Sequence, residues 1–404
     1  FENRLGGDIE YIKGKGDDIH SYFEKNKTQR HSTQLTFGHR FNEKDRLDFK
    51  NSVTYFKRNI SVPNYSFEGV QISTFSEASY THTNQKNEWV AGLNLWTDNF
   101  NEKEMSDFQL RDYNQTVIGA FVQNNWEANQ WLHLETGLRT DYVPDYGTAI
   151  LPRISAHFKI TDKFSSRLGG GFGYKAPTIF TEDSERLQYQ NVLPIDKDKN
   201  KLERSYGLNL DFNYVTSFCE GDVTFSANQL FFYTYLDNPL LLKSAGNGLY
   251  RLNNISGNTD SKGGETNVKI GYKDFHLYLG YTFTDTKTKE NGAKQENILT
   301  PKHRFNSILM YEVEDEWKIG LEAYYFSPQK LSDGLKGKQY VVCGFMIEKI
   351  WEKFSLYANF ENFTDRRQTR FDTIYTGSIS NPEFRDIYAP LDGFVMNAGI
   401  KLRF

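Results

Sequence analysis

Stretches in which hydrophobic and polar residues alternate one by one recur about every twenty residues along this chain, and a period of two marks strands with one apolar and one polar face. In residues 131 to 142, WLHLETGLRTDY, the side chains of Leu132, Leu134, Thr136 and Leu138 share one face. Those of His133, Glu135, Gly137, Arg139 and Asp141 share the other. The final stretch, FVMNAGIKLRF, ends on the aromatic Phe404. No run of 18 or more apolar residues supplies a membrane-spanning helix. One face fit for hydrocarbon and one fit for water, repeated along the whole chain, predicts an all-β fold, a transmembrane antiparallel β-barrel.

The connections between these stretches come in two alternating lengths. Short ones, rich in Asn, Asp, Gly and Lys, fall at 42–45, 81–87, 127–130, 161–163, 218–222, 273–274, 314–316 and 351–353. Long ones fall at 14–30, 59–68, 99–113, 143–148, 175–202, 237–261, 288–301, 329–337 and 362–391. Outer-membrane barrels have short periplasmic turns and long outer loops, so the alternation predicts long loops outside the cell and a periplasmic C-terminus. Roughly 18 strands of about 10 to 15 residues result, close to what a tilted strand needs to cross a bilayer. They are expected near 3–13, 31–41, 46–58, 69–81, 87–99, 114–127, 130–142, 149–160, 163–174, 203–217, 222–236, 249–272, 275–287, 302–313, 317–328, 338–350, 353–362 and 392–404. A soluble sandwich or propeller also alternates, but with strands of about five or six residues and without turns of two alternating lengths.

A mean hydropathy of −0.66 is low for a membrane protein. A wide barrel explains it, because only every second wall residue must be apolar while lumen and loops are wet. The 16% aromatic content, with 25 Tyr and 32 Phe, fits girdles at the two membrane interfaces. A net charge of −4, with Lys and Arg spread along the chain, gives no nucleic-acid signature. The two cysteines, Cys219 in a predicted turn and Cys343 on a predicted lipid face, have neither metal-site nor disulfide-framework spacing.

Three segments in order resemble the TonB-dependent outer-membrane receptors. ETGLRTDY (135–142) with LPRISAHFKITDKFSSRLGGGFGYKAPT (151–178) resembles the middle of that family's barrel, with its aromatic-basic-Ala-Pro motif. ANFENFTDRRQTRF (358–371) resembles the segment after the penultimate strand, and PLDGFVMNAGIKLRF (390–404) the last strand with its closing aromatic. The wording is similar to iron-complex receptors of Bacteroidetes-type bacteria. The resemblance implies a 22-stranded barrel around an N-terminal plug. On that reading residues 1–404 are a single, partial barrel domain, with the plug and roughly the first four strands absent from this chain. Phe404 then matches the signal read by the barrel-assembly machinery. The same segments also have local readings. Gly169 to Gly171 and Gly173 permit bending or close approach, Pro177 ends its strand, and residues 178–187 suit a short outer helix.

The function so implied is uptake of a scarce, bulky nutrient, a ferric siderophore-type chelate first among them, powered through a TonB-type complex that engages the missing N-terminal region. Chelates present aromatic faces and negative charge, which suit stacking and cation–π contact. The candidate binding residues are therefore the aromatic and cationic ones in outer loops and upper wall: Tyr174, Lys175, Arg186, Tyr189, Tyr235, Tyr250, Arg366, Arg367, Arg370, Phe371, Tyr375 and Arg385. Haem is disfavoured because 178–202 contains no histidine, and of the eight histidines only His20 falls clearly inside a predicted outer loop. Cobalamin and other small organic ligands stay open. Outer-membrane lipid is the other expected partner, with a surface lipoprotein as a further one. No cofactor, resident metal or catalytic residue is expected, since no Ser or His arrangement pairs a nucleophile with a base. A passive porin is the alternative, followed by a barrel enzyme.

Overall fold

The structure, a computed structural model, describes residues 2–7, 22–104, 108–378 and 381–403, with the side chains of 2–7 and 381 excepted. Phe404 and His20 lie outside the described residues, as does the second half of the strand expected at 3–13. The wall begins with β1 (Glu2–Gly7), β2 (Phe23–Arg40), β3 (Asp45–Val62), β4 (Tyr65–Thr83), β5 (Asn87–Glu102) and β6 (Tyr113–Asn129). It continues through β7 (Leu132–Val143), β8 (Gly147–Lys159), β9 (Phe164–Lys175), β10 (Glu203–Phe218) and β11 (Val223–Asp237). Next come a hairpin of β12 (Leu240–Gly246) and β13 (Leu249–Asn254), then β14 (Gly257–Tyr272), β15 (Phe275–Glu290) and β16 (Ala293–Glu296). The chain closes with β17 (His303–Val313), β18 (Trp317–Phe326), β19 (Tyr340–Ile350), β20 (Phe354–Glu361), the hairpin β21 (Tyr375–Ser378) and β22 (Asn381–Phe384), and β23 (Val395–Leu402).

Nineteen of these strands form one sheet. Because β16 is a 4-residue rim piece, 18 strands make up the wall, the number that the alternation predicts. Each pairs antiparallel with its neighbour in sequence, in an up-and-down meander. Among the described residues no ladder joins β1 to β23. The wall still curls round at its long-loop end, where the Tyr22 ring lies 5.2 Å from Phe384.

Alternation sets the faces as expected. Leu93 (66% exposed), Ile400 (65%) and Leu138 (47%) stand on the outer face. Arg139 and Asp141, one residue out of step with Leu138, turn into the lumen and pair at 2.8 Å. Outward aromatics cluster at both rims: Tyr80, Trp89, Trp126 and Trp131 near the short turns, Phe172, Tyr206, Tyr233 and Phe305 near the long loops. The inner and outer rows of β9 and β10 fit closely. At Gly169 an added Cβ would lie 2.8 Å from Asn209 Oδ1, the close approach that its glycines suggest.

Two sequence expectations are corrected. The long connection expected at 59–68 is a tight turn at Pro63–Asn64, because β3 and β4 run on to Val62 and Tyr65. There the polarity of the two faces is inverted: Ile60 and Phe67 point inward and are buried, while Lys57, Asn59 and Glu68 point outward. An apolar-outside template reads this inversion as a loop. Likewise the strand expected from 249 starts at Gly257, because residues 249–254 pair with β12 in a separate hairpin. The extended segment is real, but its partner is not in the wall.

Candidate functional site

The apolar cores of this molecule sit at the long-loop end, where loops fold onto the inner wall. Pro177 ends β9 and is buried, its carbonyl accepting a 2.8 Å hydrogen bond from Gln115 Nε2. The chain then drops Ile179 against Ile60, Phe67 and Phe100. A short helix, α1 (Glu182–Arg186), follows in the segment expected to be helical, capped by Thr181 Oγ1 accepting from the Ser184 amide. Tyr189 comes next, in the left-handed region with φ 63°. Its ring stacks on Phe67 at a centroid distance of 4.5 Å and is 1% exposed. Burial pushes its phenol up to about 12. Tyr189 is thus a core residue of the loop.

Arg111 fastens this loop to the wall. Its side chain is 2% exposed, paired with the almost equally buried Glu102. Nη1 donates to the Tyr189 carbonyl, and the guanidinium lies 5.1 Å over the Phe67 ring. Below it, Gln71, Ser73 and Tyr113 all donate to the Asp98 carboxylate, at 2.9, 2.6 and 2.8 Å. Between loop and wall a cleft of about 300 Å³ remains, lined by Phe56, Phe67, Phe100 and Phe180 with Arg58 and Glu185 at its edge. Gly69 makes room for it, since a Cβ there would lie 2.3 Å from the Phe100 ring. Arg58 Nη2 bonds Glu185 Oε1 at 2.5 Å.

The remaining loops join this one into a cap. The β12–β13 hairpin docks through Leu193 N donating to the Tyr250 carbonyl at 2.8 Å and Tyr250 N to the Asn191 carbonyl at 2.9 Å. Arg186 reaches Asp386 at 3.2 Å, and Asp386 accepts from the Ser332 amide at 2.5 Å. Gln368, fully buried, accepts from the Tyr388 and Ala389 amides and donates to the Asp386 carbonyl. Arg385 pairs with Asp333 at 2.7 Å. Arg367 and Arg370 both pair with Asp365, while the Arg366 guanidinium lies 4.1 Å over the Phe371 ring.

Of the twelve residues chosen from sequence, Arg366, Arg367, Arg370 and Phe371 form one knot, while Arg186 pairs with Asp386 and Arg385 with Asp333. Tyr174 donates to Asp141 at 3.0 Å, Lys175 is exposed at the end of β9, and Tyr375 is exposed on its hairpin. Tyr235 stands apart from them. It pairs with Tyr206 on the outer face, beside Tyr233, and so belongs to the aromatic girdle. Counting along β11 from Phe231 would have placed it there. Sequence reasoning missed Phe56, Arg58, Phe100, Arg111 and Phe180, which four separate segments bring together. For Phe56, Arg58 and Phe100 the signal is inward parity on β3 and β5.

Ion pairing lowers the carboxyls of Asp333 and Asp365 below the usual range, through Arg385 and Arg367 respectively. A depressed carboxyl contributes stability above its unfolded value, about 3.9, and loses it as pH falls through the folded value. Amide protection in 362–378, taken relative to the intrinsic exchange rate at each pH, is therefore expected to stay constant from neutral pH down to about 5 and to fall only below about 4. Loosening between pH 7 and 5 would mean these pairs do not hold the loop.

Comparison with known proteins adds three findings. The family model of TonB dependent receptor-like β-barrels matches residues 3–373. The vitamin B12 transporter BtuB of Vibrio cholerae is 23% identical over 227 residues, 56% of this chain and 33% of the transporter's own length. The chain thus spans about a third of the length of the curated relatives it matches. Among solved structures, the copper transporter OprC superposes with a TM-score of 0.72 at 14% identity, covering 95% of this chain and 69% of that one. The siderophore receptor PirA of Acinetobacter baumannii gives 0.65 at 14% identity, over 98% and 73%. At these identities the likeness to the solved structures is one of fold.

Proposed function

Because the chain belongs to the TonB-dependent receptor-like β-barrel family, we propose that it is the wall of an outer-membrane receptor that imports a ferric siderophore-type chelate by TonB-dependent transport. In this reading the short turns face the periplasm and the loop cap faces the outside. The observation that carries the ligand class is the cleft of Phe56, Phe67, Phe100 and Phe180 beside Arg58. With Tyr189 the cleft has five aromatic rings, which suit the aromatic faces of a chelate by stacking, and the Arg58 guanidinium meets its negative charge once it leaves Glu185. The loop arginines 367, 370 and 385 are proposed as a second, outer contact, reached by displacing their carboxylate partners, with Arg366 beside them over the Phe371 ring.

Growth of a deletion strain on single iron sources tests this reading. Growth should fail on one class of ferric chelate, and uptake in the wild type should saturate and stop when the proton gradient is collapsed. Non-saturating uptake that is indifferent to the gradient would make the protein a porin. Arg58→Ala should weaken chelate binding by about thirtyfold, the value of one desolvated cation–π contact of about 2 kcal/mol. It should leave the wall stable, because Glu185 is 51% exposed and its pairing contributes little.

A further inference from the structure

At the opposite end of the wall from the aromatic cleft, near the short turns, the lumenal face carries a row of ionisable groups that chelate uptake does not use. Glu127, His133, His157, Arg167 and Asp211 stand on β6 to β10, each directly opposite the next. Alternation turns them inward, because each is one residue out of step with an outward side chain such as Trp126 or Leu168. Among the described residues, His133 and His157 are the one pair of histidines set opposite each other on neighbouring strands. Both line a cavity of about 620 Å³, together with Glu127, Glu135 and Arg167.

The pair has the spacing of a chelate. Its imidazole centres are 6.0 Å apart. Two imidazoles that share one ion through nitrogens about 2.0–2.1 Å from it hold their ring centres roughly 5 to 6.5 Å apart. Glu127 Oε1 lies 3.9 Å from His133 Nδ1, on the strand away from His157, so a carboxylate attends that nitrogen and Nε2 is left for an ion. The His133 side chain is 43% exposed, and an ion reaches it without unpacking the wall. Charge agrees as well, since Glu88, Glu127 and Glu135 outnumber Lys86 and Arg167 in the cavity lining while the imidazoles are neutral. Arg167, next to His157, opposes a bound cation, and Asp211 stands beyond it on β10. No third His, Cys, Asp or Glu among the described residues joins the pair, so water or a small ligand completes the coordination.

We propose that His133 and His157 form a binding site for one late first-row divalent ion of the copper, nickel or zinc kind, on the lumenal wall at its short-turn end. Imidazole suits these ions, whereas magnesium and calcium call for oxygen ligands. The site is separate from the aromatic cleft and does not depend on which cargo that cleft takes.

The test uses the full-length receptor in detergent, stripped of metal, then titrated with Zn²⁺ by calorimetry and with Cu²⁺ under electron paramagnetic resonance. One ion should bind per receptor, and the Cu²⁺ spectrum should carry the coupling of two imidazole nitrogens. His133→Gln and His157→Gln should each weaken binding at least about tenfold, since loss of an outer-shell partner alone costs that much. Arg167→Gln should tighten it, which a merely structural role of the row would not produce. His276→Gln, elsewhere on the lumenal wall, should leave it unchanged, and Ca²⁺ and Mg²⁺ should not compete. Acidification from about pH 7.5 to about 5.5 should release the ion, because imidazoles that protonate near about 6.5 lose the lone pairs that bind it. A folded variant lacking both histidines that still binds one ion as tightly overturns the proposal. Should that variant not fold, the wild-type Cu²⁺ spectrum decides, and one without two imidazole nitrogens overturns it equally.

Discussion

Arg111→Met is expected to release the loop 176–202 from the wall and to abolish chelate uptake while the barrel itself stays folded. Among the described residues the guanidinium is the one cation paired with the Glu102 carboxylate, which otherwise accepts from the Arg111 amide at 2.9 Å, and both side chains are nearly sealed from water. Removing one member of such a pair leaves a buried charge uncompensated, at a cost of about 3 to 5 kcal/mol. The same change takes the donor from the Tyr189 carbonyl and the cation from the face of Phe67. Since Tyr189, Phe180 and Phe67 also wall the aromatic cleft, cleft and anchor should fail together. Amide exchange of residues 179–192 should rise sharply, while the electrophoretic shift that marks a folded barrel persists. Arg111→Met combined with Glu102→Leu should recover much of the lost protection, because a neutral, well-packed pair removes the desolvation penalty. If loop exchange does not change in the single variant, the loop is held by its apolar contacts alone.

The second large effect is one of parity. Leu93→Arg should cost about 2 to 4 kcal/mol and reduce assembly in the membrane, because it places a charge in hydrocarbon near the midplane. Gln34→Arg, on β2, faces the wet lumen and should assemble at wild-type levels. Leu93 and its paired neighbour Ala78 lie on the outer side, whereas Gln34 shares the inner face with its partner Ser52. Folding yield in lipid vesicles, with the midpoint of urea unfolding, measures both. Equal behaviour of the two variants would mean that the assigned faces are wrong, since a slip by one residue exchanges them along the whole strand.

How far the chain can be read in advance follows the same physics. Strands such as Leu132–Val143 and Val395–Leu402 are legible because bilayer and lumen impose opposite demands on successive residues, and the demand is local. Above the hydrocarbon that demand lapses. There the rule failed at 59–68, where polar residues face outward, and at 249–254, whose partner is another loop strand. The site shows the same division. The arginines and Phe371 of 366–371 are neighbours in sequence and could be chosen together, yet Arg58 and Glu185, or Arg111 and Tyr189, are far apart along the chain.

By itself the sequence determined the class of fold, the number and succession of wall strands and the residues that meet lipid, because each depends on alternation within a single strand. Only the tertiary structure decided that Tyr189 is core and Tyr235 girdle, that Arg111 and Glu102 are sealed together, and that aromatic rings converge beside Arg58. Those outcomes depend on which distant segments the curled sheet brings face to face, and no local pattern of hydrophobic and polar residues encodes that.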